Sequence, residues 1–318
     1  LAVLMLGLDW LLRKKYSRLG FLAFVYVWLY DAFPLLLIVS GLYTITAWAV
    51  EKKFDHRPIL YTGAGIVLGL FINPYFPYNV VFAVQHILPK LLETTAISVG
   101  NEWYPYSTGQ LLKNSPLALA AFVSGALALG LSGKRMDLRT AVSFGLACLF
   151  GLMLFQSRRF IEYFPAFSLI FAAFAWTGVF ETLPTLPRSR FQKKLPALVL
   201  ILALIPGIWM TFNGAKSSLQ SAKPYQTYAG ASAWLSANTP AGARVFQTDW
   251  DDFPRLFYYN THNTYLIGLD PTYLLLYDAN LYHRWVAVTQ GDVEQPSAAI
   301  ENEFGARFVL TDLRHTGF

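Results

Sequence analysis

Charge is scarce in this chain: 14% of its 318 residues are Asp, Glu, Lys or Arg, where soluble domains carry about a quarter. Cysteine is nearly missing as well. The single example, Cys148, cannot close an internal disulfide, and its apolar neighbours give it a packing role. Motifs are missing too. The sequence has no phosphate loop, no paired-glycine dinucleotide signature after a strand, no metal-spaced Cys/His cluster and no Ser-centred elbow. These absences exclude a single soluble globule, a disulfide-stapled domain and most soluble nucleotide or hydrolase chemistry. What fills the chain is apolar: 55% of residues are hydrophobic and 16% aromatic, which excludes a disordered chain.

The net charge of +6 is unevenly spread. Residues 1–213 hold 18 Lys and Arg against 9 Asp and Glu, a balance of +9, while 214–318 hold 7 against 10, a balance of −3. The basic part is also the apolar part, so the charge belongs to loops between membrane segments and is no sign of a nucleic-acid partner. Apolar runs cover 1–12, 19–50, 59–73, 116–132, 140–156, 165–181 and 196–213, and none of the 25 Lys and Arg falls inside one. Between the runs lie four basic clusters: Arg13, Lys14, Lys15 and Arg18; Lys52, Lys53 and Arg57; Lys134, Arg135 and Arg139; Arg188, Arg190, Lys193 and Lys194. The positive-inside rule puts them all on the cytoplasmic side.

From residue 58 onward the runs then alternate out, in, out, in, out. Loop 74–115, the turn 157–164 and the C-terminal domain fall outside. Run 19–50 has basic flanks on both sides, so it crosses an even number of times. Its break is expected at Tyr30-Asp31-Ala32-Phe33-Pro34, since proline lacks a helical N–H and disfavours helix before it. The first leg, about 12 residues and ~18 Å at helical rise, reads as a candidate re-entrant segment. Run 1–12 has its charges behind it, unlike a secretory signal. It opens mid-run, and the last strand stops close to the C-terminus, so both ends read as cut and the chain as a C-terminal portion of a longer protein.

The expected fold is therefore a polytopic α-helical membrane domain over 1–213, followed by a small external α/β domain over 214–318. In the latter, 214–227 read as a polar linker. Tyr228–Ala237 reads as a helix with Ala231, Trp234 and Leu235 on one face. Strands are expected at Arg244–Gln247, Tyr265–Ile267 and Arg307–Thr311, and helices at Phe253–Tyr259 and Ala298–Phe304. One longer helix runs from Asp270-Pro271 to about Val288, with Asp270 as its N-cap.

Three segments carry candidate chemistry. The outside turn Ser157-Arg158-Arg159-Phe160-Ile161-Glu162-Tyr163-Phe164-Pro165 places two arginines on the side without other basic clusters. Guanidinium binds phosphate bidentately, so the pair suits a lipid-linked phosphate; the plainer reading is headgroup anchoring, with Glu162 as a local ion-pair partner. Loop 74–115 follows Asn73 and carries His86, Glu102 and many aromatic residues. Aromatic faces with carboxylates describe a sugar site, and an interfacial aromatic belt explains the tyrosines equally well. Residues 79–95 read as an amphipathic helix lying in the interface. Third, Asp249, Asp251 and Asp252 follow a strand, where α/β layers bind ligands, and their oxygens suit Mg²⁺ or Mn²⁺; helix capping accounts for one of the three. Asp31, at an apex between membrane legs, is a further candidate. Asp270, beyond its capping role, is in reach of substrate if it faces the membrane. His262, His283 and Arg284 read as surface or structural residues.

Together these features resemble the GT-C glycosyltransferases, the group of protein O-mannosyltransferases and oligosaccharyltransferase catalytic subunits. The resemblance rests on the multi-span domain, the long external loop, the Arg-x-x-x-Tyr-x-Pro turn of Arg159, Tyr163 and Pro165, and the external α/β domain. Its entry phrase is Ala233-Trp234-Leu235, Asn238-Thr239-Pro240 and Ala243-Arg244-Val245-Phe246. Asp249-Trp250-Asp251 is similar to the Trp-Trp-Asp acceptor motif, with Asp249 where the first Trp stands. The resemblance implies inverting sugar transfer from a polyprenyl-phosphate donor to a glycan, lipid or protein acceptor. A base would deprotonate the acceptor hydroxyl and arginine would stabilise the phosphate leaving group. It also implies a catalytic acidic residue in an external loop upstream of Leu1, leaving Asp31 and Glu102 as substitutes within this chain. On this reading Arg158, Arg159, Glu162 and Tyr163 serve the donor phosphate. Asn73, His86 and Glu102 line the sugar, and Asp249, Asp251, Asp252 and Asp270 form an acceptor or metal wall. The expected location is the plasma membrane, multi-pass. Two other readings stand beside it: a membrane-anchored binding or assembly protein of the cell envelope, and a lipid-linked glycan flippase, which would need ionisable groups along an intramembrane path.

Overall fold

The computed structural model describes residues 1–91, 100–182, 190–312 and 318; the side chains of 86–91, 101, 182, 190–201, 203 and 204 lie outside the described set. The chain divides into two compact units, Leu1–Pro184 and Thr185–Phe318.

The first unit is helical: α1 (Ala2–Leu12), α2 (Tyr16–Leu29), α3 (Pro34–Glu51), α4 (Arg57–Phe71), α5 (Tyr78–Leu91), α6 (Thr108–Asn114), α7 (Pro116–Ser132), α8 (Leu138–Gln156) and α9 (Phe164–Thr182). The expected break at residues 30–34 separates α2 from α3, with Pro34 opening α3 where its missing N–H costs nothing. Among the described residues, three helices are long and apolar enough to cross a membrane: Pro34–Glu51, Leu138–Gln156 and Phe164–Glu181. A fourth candidate is the pair α6 and α7, bent by 84° at Ser115–Pro116. Helices of this kind are what membrane proteins carry. Their outer faces fit the same environment, because Ile45, Trp48, Leu127, Leu131, Leu152, Phe155 and Leu169 are exposed although nothing in water would favour such a surface.

Inside the unit, small residues and hydroxyls set the helix contacts. Gly65 and Gly69, one turn apart on α4, let it lie against the α2 backbone: a Cβ on Gly65 would fall 2.1 Å from the Gly20 carbonyl oxygen. Gly125 on α7 admits the Phe171 ring of α9. Ser40 and Thr62 share a buried hydrogen bond of 2.8 Å, linking α3 to α4, as interhelical hydroxyls do in apolar surroundings. Aromatic stacking of Phe150 on Tyr163 and Phe167 closes α8 onto α9.

These contacts also fix helix direction. The Lys14–Glu51 ion pair joins the C-terminal ends of α1 and α3. Gly20 and Val27 of α2 meet Gly65 and Gly69 of α4 in the same order, so α2 and α4 run parallel. The α7 and α9 helices also run parallel, through the pairs Gly125–Ala172 and Ser132–Gly178. The helices thus alternate in the order expected from the loops, and the unit has two ends. Residues 13–18, 51–57 and 133–139 gather at one; residues 30–33 and 157–163 gather at the other.

The second unit begins with α10 (Arg190–Gln220). The expected linker 214–227 is therefore helical for its first seven residues, because no proline interrupts it until Pro224. Next come α11 (Ala229–Asn238), β1 (Arg244–Gln247), α12 (Phe253–Tyr259), β2 (Thr264–Tyr265), α13 (Thr272–Tyr277), α14 (Ala279–Gln290), α15 (Pro296–Asn302) and β3 (Phe308–Leu310). The sheet is parallel, ordered β2-β1-β3, with Val245 opposite both Tyr265 and Phe308. Its β1 coincides with the expected strand, while β2 is shorter and lies one residue earlier than expected.

The single helix expected from Asp270 is two helices. Asp278 takes an extended conformation and its Oδ1 accepts from the Asn280 and Leu281 N–H groups at 2.9 and 3.0 Å. A cap of this strength starts a new helix and ends the old one. Asp270 instead accepts from the Thr272 N–H at 2.8 Å, one position before the cap site that Pro271 occupies.

Candidate functional site

The two arginines of the 157–163 turn stand at the end of the first unit opposite the basic clusters, and three separate pieces of chain build their surroundings. Residues 101–103 form a single 3-10 turn after Gly100, whose φ of 122° is open to glycine alone. The backbone of this piece is pinned to the arginine turn: Ser157 Oγ donates to the Glu102 carbonyl at 2.8 Å, and the Arg158 N–H donates to the Tyr104 carbonyl at 3.1 Å. The apex before α3 supplies Tyr30 and Asp31.

Arg159 is the hub. Its guanidinium donates to the Glu102 carboxylate and to the Tyr30 hydroxyl, and lies 5.2 Å from the Trp103 ring centroid and 5.9 Å from that of Tyr30. Burial works against its charge, but the Tyr30 hydrogen bond and the nearby Glu102 and Asp31 outweigh this and hold its pKa above the ordinary value. Arg158 behaves differently. Its Nε donates to the Pro105 carbonyl at 3.2 Å and its plane lies 5.0 Å from the Tyr106 ring, while its two terminal nitrogens make no hydrogen bond among the described residues. With Glu102, Tyr106, Arg159, Ile161 and Glu162 it lines an open cleft of about 400 Å³. Tyr163 is buried beneath, and burial, with Tyr30 and Glu162 nearby, pushes its phenol up to about 12. It stays a neutral packing residue.

Two details depart from expectation, and a third expected residue, His86, is not tested. The ion-pair partner of Arg159 is Glu102, 57 residues away. The expected partner, Glu162, lies on the cleft rim and makes no ion pair among the described residues. Asn73 is absent from the cleft lining: its Oδ1 accepts from the Tyr75 N–H at 2.9 Å and shapes its own turn. His86 lies on α5, but its side chain is outside the described residues. Sequence reading missed Tyr30, Trp103 and Ser157, although the parity of run 19–50 had already placed Tyr30 on the side of Arg159.

In the second unit, the acidic group follows the C-terminal end of the central strand. Because β1 connects to β2 on one side and β3 lies on the other, this is the topological switch point, where open parallel sheets bind ligands. The Thr248 and Thr311 hydroxyls meet there at 2.9 Å. One carboxylate oxygen from each of Asp249, Asp251 and Asp252 lies within 4.8 Å of the others, spacing that hard cations use. Asp252, however, is 2% exposed and committed: Oδ1 accepts from Lys223 Nζ at 3.3 Å and Oδ2 from the Tyr228 hydroxyl at 2.8 Å. A Mg²⁺ or Mn²⁺ ion there would have to compete with the Lys223 ammonium for Asp252, so the three carboxylates do not fit a resident cation.

Asp249 caps the 3-10 turn 250–252. Burial, and its hydrogen bond to Asp251, push its carboxyl pKa above the ordinary 3.8. A carboxyl raised on folding stabilises the fold at pH below its unfolded pKa and loses that contribution as pH climbs through the folded value. Asp249→Asn is therefore expected to raise thermal stability at pH 7 and to leave it nearly unchanged at about pH 3.5, near the unfolded pKa of a carboxyl. Melting curves of the full chain at the two pH values read this directly; equal effects at both would contradict it.

Asp270, beside a second cleft of about 560 Å³ lined also by Arg244, Tyr265, Tyr273, Tyr277 and Glu303, sits in the same unit. No family model matches this chain, and no curated protein sequence matches it.

Proposed function

We propose that this chain belongs to an integral-membrane glycosyltransferase of GT-C type, which takes a sugar from a polyprenyl-phosphate-linked donor and transfers it with inversion to a glycan, lipid or protein acceptor. The supporting observation is Arg158: a guanidinium whose two terminal nitrogens are uncommitted among the described residues, on a cleft at the end of the bundle away from the basic clusters. Fixed by Tyr106 and the Pro105 carbonyl, it presents its outer edge to a phosphate in the bidentate manner that lysine cannot reproduce. The wall also carries the carboxylates of Glu102 and Glu162, acceptors for sugar hydroxyls. The location that accompanies this reading is a multi-pass protein of the plasma membrane, with the cleft at the outer headgroup level.

Arg158→Ala in the full-length protein, reconstituted in nanodiscs, is expected to weaken binding of a short-chain polyprenyl monophosphate about tenfold or more, the loss of a charge-assisted pair. Arg158→Lys is expected to recover part of it. If affinity and sugar turnover were the same in all three proteins, the donor role of this cleft would be lost.

A further inference from the structure

We infer that the Arg159–Glu102 ion pair is a latch worked by the donor: the lipid phosphate displaces the Glu102 carboxylate from Arg159 and turns it to the water at the cleft rim, where it is free to accept from an acceptor hydroxyl only when donor is in place. This rests on the reading of the cleft as a phosphate-donor site.

The two partners are unequal in a way that fits exchange. The Arg159 side chain is 29% exposed and Glu102 is 54% exposed. Arg159 lies 5.9 and 5.2 Å from the Tyr30 and Trp103 ring centroids and keeps the Tyr30 hydroxyl, so contacts other than Glu102 hold it while it changes anions. Glu102 has its backbone held, through the Ser157 hydroxyl on its carbonyl, and nothing but Arg159 on its carboxylate among the described residues. The side chain is the one free element of the pair, and it swings toward water, where a carboxylate loses little solvation.

Charge balance points the same way. The arginines Arg158 and Arg159 face Glu102 and Glu162 on the cleft, and Asp31 acts on Arg159 from the apex. Two positive charges already meet three negative ones, so a phosphate added without expulsion of a carboxylate would enter a negative site. Exchange at Arg159 removes that conflict. Arg158, with no carboxylate to release among the described residues, is the first contact, and Arg159 is the second. The consequence is order: donor binds before acceptor.

The test is a double-mutant cycle on affinity, using the full-length protein in phosphatidylcholine nanodiscs and a short-chain polyprenyl monophosphate as probe. Glu102→Gln removes the competitor, and the probe is expected to bind about tenfold tighter than to wild type. In an Arg159→Ala background the same change is expected to do nothing, since there is no latch to release. Equal tightening in both backgrounds would mean that Glu102 acts only as a nearby negative charge, and the latch would be wrong. Unchanged or weaker binding by Glu102→Gln alone would also overturn it. A parallel titration with phosphatidylglycerol separates the sources of phosphate: tightening for that lipid and none for the polyprenyl probe would overturn donor operation. Arg158→Ala serves as the reference. If it weakens binding while Glu102→Gln changes nothing, the latch fails and the donor cleft stands; if neither variant changes binding, both fail.

Discussion

Gly65→Ala is expected to cost on the order of 3 kcal/mol, the upper end of what overpacking a filled interior costs, although alanine normally gains up to about 1 kcal/mol over glycine inside a helix. The reason is the approach of two helices. A Cβ at this position would stand 2.1 Å from the Gly20 carbonyl oxygen, 2.8 Å from its carbon and 2.9 Å from the Ala23 Cβ. Two of the three obstacles are backbone, so no rotamer change relieves them. Gly69, one turn on, meets the Phe24 carbonyl at 3.0 Å, and its own carbonyl accepts from the Trp28 indole at 3.0 Å. A pair of glycines at this spacing is how helices come into backbone contact without water to drive them. Gly63 provides the control, because a Cβ there meets nothing within 4 Å; Gly63→Ala is expected to be neutral or slightly stabilising. Thermal unfolding of the two purified variants in the same detergent decides the matter. Equal melting temperatures would mean that α2 and α4 do not lie this close.

The second large effect is expected at Asp252. Asp252→Ala leaves the Lys223 ammonium and the Tyr228 hydroxyl without their carboxylate and should cost about 3 kcal/mol, the lower end for breaking a buried pair. The lower end applies because the Lys223 side chain is 32% exposed and can turn to water. Asp252→Asn, able still to accept from Tyr228, should lose less. The site also holds Tyr228 at a φ of 71°, a conformation that a bulky residue adopts only when its surroundings require it. With two units in the chain, a melting temperature registers the loss but does not locate it. Hydrogen exchange of the β1 amides, which lie in the affected sheet, does. If their protection in Asp252→Ala matched the wild type, the bond to Lys223 and Tyr228 would carry no weight in the fold.

Much of the fold was legible because local chemistry decides it. Pro34 and the polar apex placed the break between α2 and α3. The basic clusters gave the alternation of helix directions, since charge is too costly inside an apolar run to sit anywhere but at its ends. Strand β1 was legible because Arg244–Gln247 stands between a Pro-Ala-Gly turn and an acidic loop. The split between α13 and α14 was not, because the aspartates at 270 and 278 are both plausible caps in sequence, and the one that accepts two N–H groups won. The helical start of the expected linker was missed for the opposite reason: its serines suggested an irregular segment, yet nothing in it stops a helix already under way.

The candidate site divides in the same manner. Sequence alone determined that two arginines stand on the side without basic clusters, and that three aspartates follow the first strand. It determined these things because the alternation of apolar runs with basic clusters, and strand punctuation, are read from residue type and spacing. Only the tertiary structure decided that Arg159 is bound to Glu102 and Tyr30 while Arg158 faces the cleft, and that Asp252 belongs to Lys223 and Tyr228. Those pairings join residues 24 to 129 positions apart. No local pattern records them, because which charge meets which is fixed by how the helices and the sheet pack, not by the order of residues along the chain.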